Sequence, residues 1–377
     1  MHLASPHPSP HLPETKELLI CRSGWSPTGG AEKFLLRFAD GLERSGLRAV
    51  LVTDSRWPRQ SWPGENLERI GGGDLTREIA RIRRDHPGGL LFSMDRLPGA
   101  DVFRAGDGLH SAWLRRLEDE EGRWKGWFRR NRPMHRRLLR LERRLFQSPG
   151  LRIIANSRMV ADEITRAHVI DPARIAVIPN GYDAPELDEA EKAERRRRTR
   201  RHFDIPEGAT VFLFVGTGWK RKGAAVLTQA FRRLDDENAY LILTGKGAAP
   251  FTDHPRIRLA GPVGDPTDHY LAADVFVLPT LYDPFSNACL EAAAHGLPVI
   301  TSDANGFREV IASHPEAGEI VPVPRTAAAW AEALGRWMDP QRRERALLQL
   351  ARIKAHHTIA RNVSATIDFL FNPRENP

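Results

Sequence analysis

The sequence has no apolar run long enough to cross a membrane and only two cysteines, Cys21 and Cys289. A transmembrane helix needs about 20 consecutive apolar residues, so none is predicted. Both cysteines stand in apolar strand or helix contexts, which is typical of packed thiols and favours a reducing, cytoplasmic compartment. The sequence also lacks zinc-ligand spacings and aromatic RNA-binding motifs.

The beginning of the sequence lacks the apolar core of a secretion signal. Residues 1–14 are rich in histidine and proline, and we expect 1–15 to form a disordered N-terminal tail. The remaining length suits more than one hydrophobic core, because 377 residues fit two domains of about 170 to 190 residues each.

Charge narrows the choice of partner without fixing it. The formal net charge is +8 and the sequence pI is about 9.8, which favours a negatively charged partner. Nucleic acid, an anionic membrane surface and a phosphorylated substrate all satisfy this condition.

Short apolar segments alternate with helical segments throughout both halves of the chain. Residues 47–53 and 89–93 in the first half, and 239–247 and 257–263 in the second, are predicted strands with polar or glycine-containing exits. This rhythm is typical of α/β domains with doubly wound parallel sheets.

Two acids, Asp283 and Glu291, flank a predicted strand-to-helix turn. Asp283 follows an apolar strand, and the carboxyl ends of strands in open α/β sheets are where ligands bind. Ser286 or Asn287 can cap the helix that carries Glu291 about two turns further on. The alternative is a turn-forming aspartate followed by a solvated helix acid.

The pattern acid, seven residues, acid resembles the signature of the retaining glycosyltransferases of family 4, which have the GT-B fold of two Rossmann-like domains facing a cleft. The resemblance implies that Glu291 accepts hydrogen bonds from the ribose of a nucleotide-sugar and that Asp283 contacts the transferred sugar. An ionised carboxylate suits both roles, because it can accept from two neighbouring hydroxyls. The family usually has the longer glutamate at position 283. Phe285, Ser286 and Asn287 are predicted donor-binding residues of the same loop.

Three cations, Lys220, Arg221 and Lys222, follow a predicted strand and a glycine turn. The phrase Arg-Lys-Gly resembles the phosphate-binding element of the same enzymes, which implies that Arg221 and Lys222 hold the donor diphosphate and stabilise its charge as it leaves. Lys220 is predicted to be exposed.

Glycine-containing strand exits supply further donor-binding candidates. Gly29 and Gly30 resemble the Gly-Gly-Ala-Glu element of the family, and a helix beginning there would favour a phosphate. Gly245, Lys246 and Val263 lie on loops that pass the nucleotide base in GT-B enzymes. The alternative for each is an ordinary turn.

Residues 94–110 resemble a segment of the lipopolysaccharide core glucosyltransferases within family 4. The resemblance places Asp107 where those enzymes have an aspartate facing the reacting sugar, and His110 where many members have a site histidine. Asp107 between two glycines is also compatible with a simple turn, and His110 with a helix cap.

Residues 115–144 contain twelve Arg or Lys against five Asp or Glu, interleaved with tryptophan and phenylalanine. This composition suits an anionic bilayer surface, where each basic residue contributes about 1 kcal/mol, and the lipopolysaccharide enzymes dock on the membrane through such a patch. A solvated helix face is the alternative. The predicted membrane-binding residues are Arg129, Arg130, Arg136, Arg137 and Arg140.

The resemblance implies a domain plan and an activity. We expect an acceptor-binding domain at 16–182, a charged linker at 183–208, a donor-binding domain at 209–354 and a helix within 355–377 that crosses back to the first domain. The expected activity is retaining, metal-independent hexose transfer, with glucose from UDP-glucose moved to the lipopolysaccharide inner core and no cofactor. No Asp-x-Asp pair occurs in the sequence.

We expect a cytoplasmic protein bound peripherally to the inner membrane, with no nucleic-acid partner. A GT-B nucleotide-sugar epimerase would explain the sheet pattern without an acceptor. A basic nucleic-acid-binding protein would explain the charge, and both alternatives stay open.

Overall fold

The computed structural model describes residues 17–26, 30–63, 67–69, 75–248, 253–322 and 326–372. The predicted tail at 1–15 and the predicted site residue Gly29 lie outside these ranges.

The described strands of the first half form one parallel sheet. In chain order they are β1 (Leu18–Cys21), β2 (Ala49–Thr53), β3 (Leu67–Arg69), β4 (Leu90–Ser93), β5 (Val102–Arg104), β6 (Arg152–Ala155) and β7 (Ile175–Val177). They pair in the order β3-β2-β1-β4-β5-β6-β7. The central strands β1 and β4 are buried along their whole length and almost entirely apolar, because helices cover both faces of the sheet.

The described strands of the second half form a second parallel sheet. They are β8 (Thr210–Thr217), β9 (Ala239–Lys246), β10 (Ile257–Gly261), β11 (Val275–Leu278), β12 (Val299–Ser302) and β13 (Gly318–Val321). Their order is β10-β9-β8-β11-β12-β13. The predicted α/β architecture of two doubly wound parallel sheets is therefore confirmed.

The helices connect successive strands and cover both sheets. Those of the first lobe are α1 (Gly30–Arg44), α2 (Leu75–Asp85), α3 (His110–Glu121), α4 (Arg123–Arg130), α5 (Pro133–Phe146) and α6 (Arg158–Ala167). Those that follow are α7 (Glu189–His202), α8 (Trp219–Lys222), α9 (Ala224–Phe231), α10 (Thr267–Ala272), α11 (Asn287–Ala294), α12 (Arg308–Ser313), α13 (Ala327–Arg336), α14 (Pro340–His356) and α15 (Ile359–Phe371). Short 3₁₀ turns occupy Arg59–Ser61, Pro172–Arg174 and Pro315–Ala317.

The last helix returns to the first lobe. The Thr358 side chain caps α15, and Val363, Ile367 and Leu370 join the apolar cluster that α1 forms on the first sheet. Gly41 lies where the two helices meet, because a side chain there would collide with Val363.

Helix α7 lies in the predicted charged linker at 183–208, but not all of its charged side chains are exposed. Arg200 is 2% exposed and donates to the carbonyl oxygens of Ala272, Glu207 and Ala209, and its Nη2 pairs with Asp274 at 2.8 Å. Part of the charged linker is thus structural, because Arg200 holds it against the second lobe.

Replacing Gly41 with valine should destabilise the fold. The new Cβ would lie 2.6 Å from Val363 Cγ1, and overpacking of this kind costs about 1 to 3 kcal/mol. Urea denaturation measures the free energy of unfolding. Gly208→Val is the matched control, because nothing lies within 4 Å of a Cβ at Gly208. Equal stabilities of the two variants would contradict the packing of α15 on α1.

Candidate active site

A cavity of about 740 Å³ lies between the two lobes at the carboxyl ends of both sheets. Thr217 at the end of β8, Lys246 at the end of β9 and Arg104 at the end of β5 all line it. The two sheets thus present their ligand-binding edges to one shared cleft.

The structure brings most of the predicted site residues together around this cavity. The lining includes Asp107, His110, Asp283, Gly30, Arg221, Lys222, Gly245, Lys246, Val263, Phe285, Asn287 and Glu291. Ser286 differs, because it is buried and its hydroxyl accepts from the amide of Cys289 as the cap of α11. Its contribution is to begin the helix that carries Glu291.

The cations after β8 stand on α8, a single helical turn enclosed by two left-handed glycines. Gly223 has φ 81° and its Cα lies so close to the Pro279 carbonyl that no side chain fits. Arg221 donates to the Tyr282 carbonyl at 2.7 Å, and Lys222 donates to the Asp283 carboxylate. The loops after two adjacent strands, β8 and β11, are thereby joined through charge.

Glu291 is buried and has one hydroxyl partner. Its Oε2 accepts from the Tyr270 hydroxyl at 3.0 Å. Burial raises the pKa of Glu291, whereas the charge of Lys33 and the hydrogen bond from Tyr270 act in the opposite direction. Tyr270 stacks on His295, with ring centroids 5.0 Å apart. Sequence reasoning missed Tyr270, since nothing near it indicated contact with an acid 21 residues away.

His110 pairs with a histidine of the basic segment. Its Nε2 lies 2.9 Å from His135 Nδ1, and burial together with the positive charge of Arg96 lowers the pKa of His110 to about 4. The ring is therefore neutral near neutral pH. Helix α3 begins at His110 itself, and buried Glu142 of α5 accepts from the amides of His110 and Ser111 at 2.5 and 3.1 Å. A side chain from α5, not His110, caps this helix.

Arg104 is the second residue that sequence reasoning missed. It is 4% exposed, its guanidinium carbon lies 3.7 Å from the centre of the Phe34 ring, and its Nη2 donates to Asn180 Oδ1 at 2.5 Å. Asn180 donates in turn to Asn287 at 2.6 Å. The available signal was an arginine that directly follows the apolar pair Val102 and Phe103 and stands three residues before Asp107.

Polar contacts hold the lobes together behind the cleft. The Tyr282 hydroxyl donates to Glu163 at 2.7 Å and accepts from the Leu109 amide at 3.2 Å. Ser157 donates to the Pro284 carbonyl at 2.7 Å. These contacts place the loop that contains Asp283 directly against the first lobe.

The predicted membrane-binding residues lie outside the cleft, on α4 and α5. Arg129 is paired with Glu121 and Arg130 with Glu118, whereas Arg136 and Arg140 are exposed. Arg137 lines a second cavity of about 350 Å³ that shares Asp107 and Arg96 with the cleft.

Three aromatic side chains of α4 are directed at solvent. Trp124 is 81% exposed, Trp127 58% and Phe128 65%. Together with Arg136 and Arg140 they form what we call the basic aromatic surface. No helix within the described ranges is long and apolar enough to span a membrane.

Two family models match consecutive parts of the chain. The model described as Glycosyltransferase Family 4 matches residues 28–185, and the model described as Glycosyl transferases group 1 matches residues 209–339. Between them they leave out the two ends and residues 186–208.

Sequence relatives with glycosyltransferase or transglycosylase names match the chain at low identity. D-inositol 3-phosphate glycosyltransferase of Kineococcus radiotolerans is 28% identical over 52% of this chain and 51% of its own length. A probable transglycosylase of Burkholderia thailandensis is 26% identical over 75% of this chain and 77% of its own. The chain spans about half the length of these curated inositol phosphate relatives, 51% and 50% for two of them.

Solved structures cover almost the whole chain. WaaG, a glycosyltransferase involved in lipopolysaccharide biosynthesis, superposes with a TM-score of 0.75 at 19% identity over 94% of this chain and 100% of that one. HepE of Anabaena, in complex with UDP and glucose, gives 0.68 at 16% identity over 95% and 100%. At identities this low the superpositions establish the fold alone. They confirm the predicted GT-B architecture.

Proposed function

The chain belongs to the family 4 glycosyltransferases of the GT-B fold, and from that premise we propose that it transfers a hexose from a nucleotide-sugar to a glycolipid acceptor. The observation that supports this most is the shared cleft, because Arg221, Lys222 and Glu291 all line it. Cations for a diphosphate and a carboxylate for ribose hydroxyls are the groups that a nucleotide-sugar requires.

We propose a UDP-sugar, with glucose as the sugar, as the donor. HepE, which shares the fold, has been crystallised with UDP and with UDP-glucose. In this chain Val263 and Lys246 line the same cleft as Glu291 and are the candidates for contact with the base.

Transfer with retention is the proposed reaction, without a metal or other cofactor. The bond between the anomeric carbon and the diphosphate oxygen breaks, the acceptor oxygen bonds to the same face, and the acceptor proton passes to the departing diphosphate. Arg221 and Lys222 stabilise the charge that develops there. Asp283 and Asp107 would orient the sugar. The neutral ring of His110 would form a hydrogen bond with a hydroxyl of the bound sugar.

The proposed acceptor is the lipopolysaccharide inner core. The likeness to WaaG and the basic aromatic surface support it, and the enzyme would then work on the cytoplasmic face of the inner membrane. A second candidate is a soluble inositol phosphate, because several relatives are D-inositol 3-phosphate glycosyltransferases.

Replacing Lys222 with methionine should weaken donor binding about ten- to hundredfold, the usual effect of losing a charge-assisted hydrogen bond. Thermal-shift screening of UDP-, GDP- and ADP-sugars identifies the donor, and calorimetry then gives the dissociation constants. Lys220→Met is the matched control, since Lys220 is 74% exposed and pairs with Glu121. Undiminished binding by Lys222→Met would contradict the diphosphate site.

A turnover assay with the purified protein separates the candidate reactions. Turnover of donor with inner-core lipid, unaffected by EDTA, is the expected result. Turnover with D-inositol 3-phosphate but not with core lipid would replace the lipopolysaccharide assignment, and a changed sugar formed from donor alone would identify an epimerase.

Donor binding should weaken as the pH falls, and Tyr270→Phe should move this loss to higher pH. Ribose hydroxyls donate to the ionised carboxylate, so binding is complete above the raised pKa of Glu291 and is lost as the pH falls through it. Removing the Tyr270 hydroxyl removes an interaction that lowers this pKa. Calorimetric titration of donor from weakly acidic to neutral pH measures the shift. Glu291→Gln should abolish the pH dependence, and coinciding profiles for wild type and Tyr270→Phe would refute the role of Glu291.

Vesicles of anionic phospholipid should bind the protein at low salt and release it as salt screens the charges. Trp124→Ser with Trp127→Ser should reduce sedimentation with vesicles, since interfacial aromatics bury apolar surface at the headgroups. The control is Leu347→Ser with Leu348→Ser, whose side chains on α14 are 54% and 62% exposed. Equal effects of the two pairs, or no vesicle binding by wild type, would remove the membrane proposal.

A further inference from the structure

Arg104 differs from the other deeply buried arginine of the described chain. Arg200 uses all three guanidinium nitrogens, in bonds to backbone carbonyls and to Asp274. Arg104, although 4% exposed, makes one hydrogen bond with the described residues, to the neutral amide of Asn180, and its buried Nε has no partner.

Burying a guanidinium that has a single hydrogen bond to a neutral group costs free energy. Desolvation of a charge is offset only when an opposite charge and further hydrogen bonds replace the lost water. Burial lowers the pKa of Arg104 to about 10, and the nearby charge of Asp107 opposes this only in part. The guanidinium remains charged at neutral pH, so the site favours the arrival of an anion.

The position of Arg104 indicates where that anion would lie. The arginine lines the cleft, and its Nη1 comes so near Gly106 that a Cβ there would be 2.6 Å away. Phe34, on which it stacks, lies one turn into α1, and the first residue of that helix, Gly30, also lines the cleft. The partial positive charge of the first turn of α1 therefore acts in the same direction as the guanidinium.

A short hydrogen-bonded connection leads from Arg104 to the donor side of the cleft. Asn180 accepts from Arg104 and donates to Asn287, the first residue of α11. A Cβ on Gly30 would lie 2.9 Å from Asn287 Nδ2, so the beginnings of α1 and α11 adjoin here. This is the side of the cleft to which the Ser286-capped helix brings Glu291.

We propose that Arg104 is a third cation of the diphosphate site, supplied by the first lobe and facing Arg221 and Lys222 of the second. The inference rests on the proposed function, because its ligand is the diphosphate of the donor. The guanidinium would donate to the phosphate oxygens through the nitrogens that the protein leaves unengaged. The diphosphate would then be held from both lobes, so that its release after transfer requires both sets of contacts to break.

The test compares a nucleoside diphosphate with its nucleoside. Calorimetry with UDP and uridine, or with GDP or ADP and the matching nucleoside if wild type prefers them, is carried out on wild type and Arg104→Met. We expect binding of the diphosphate to weaken about ten- to hundredfold and binding of the nucleoside to change less than about twofold. The affinity of Arg104→Lys for the diphosphate should lie between those of wild type and Arg104→Met, since lysine keeps the charge without the planar donor geometry.

Arg152→Met is the matched control. Arg152 stands on the neighbouring strand of the same sheet and lies over the Phe369 ring, but it donates to the carbonyls of Phe369 and Leu370 and does not line the cleft. The Arg152→Met variant should bind the diphosphate with the affinity of wild type. If Arg104→Met does not fold, Arg104→Lys and Arg104→Gln provide the same comparison.

The outcomes are distinct. Equal affinity of wild type and a folded Arg104→Met for the diphosphate overturns the inference and leaves the proposed function intact. Unchanged diphosphate binding with a raised KM for acceptor would assign the anion to the acceptor and would also overturn it. Failure of wild type to bind any of the three diphosphates would end the proposed function itself.

Discussion

The contact between Lys222 and Asp283 determines how the rest of the site is arranged. The two side chains are 12% and 9% exposed, so both charges have lost most of their water and each needs the other. Because β8 and β11 are neighbours in the second sheet, the turn that carries Lys222 and the loop that carries Asp283 open on the same edge. An ammonium group has three donors, so Lys222 can keep Asp283 and still receive a phosphate oxygen. The cation is thus held in place before a ligand arrives, which is the condition for effective electrostatic stabilisation.

The loop after β11 also fixes the relation between the lobes. Tyr282, next to Asp283, is 2% exposed and inserts its hydroxyl between Glu163 and the Leu109 amide of the first lobe. Gly108 has no room for a side chain, because a Cβ there would collide with Tyr282. Tyr282 therefore packs against the residue that follows Asp107, and Asp107 of the first lobe and Asp283 of the second line one cavity.

Much of this arrangement was predictable from the sequence, because it depends on local patterns. Apolar strands followed by glycine turns predicted both sheets, and the positions of Arg221, Lys222, Asp283 and Glu291 at strand exits or in the next helix predicted one shared edge. Contacts between distant elements were not predictable. Glu142, the one acid of α5, points inward to cap α3, a contact that depends on how α5 crosses the first lobe.

The same reason explains the other omissions. Tyr270 reaches Glu291 only after α10 and α11 pack together, and nothing in the residues around it encodes that contact. Arg200 belongs to the predicted charged linker, yet the fold buries it and supplies it with carbonyl acceptors that a linear pattern cannot show. Buried polar side chains find their hydrogen-bond partners only in the tertiary structure. A sequence therefore shows which polar residues are present but not which contacts they make.

A crystal structure with UDP bound is the most direct test of the central claim, that a diphosphate lies between the cations at 221 and 222 and the acid at 291. The account predicts phosphate oxygens within hydrogen-bonding distance of Arg221 and Lys222 and ribose hydroxyls on Glu291. A nucleotide bound elsewhere, or one whose phosphates contact neither cation, would contradict it.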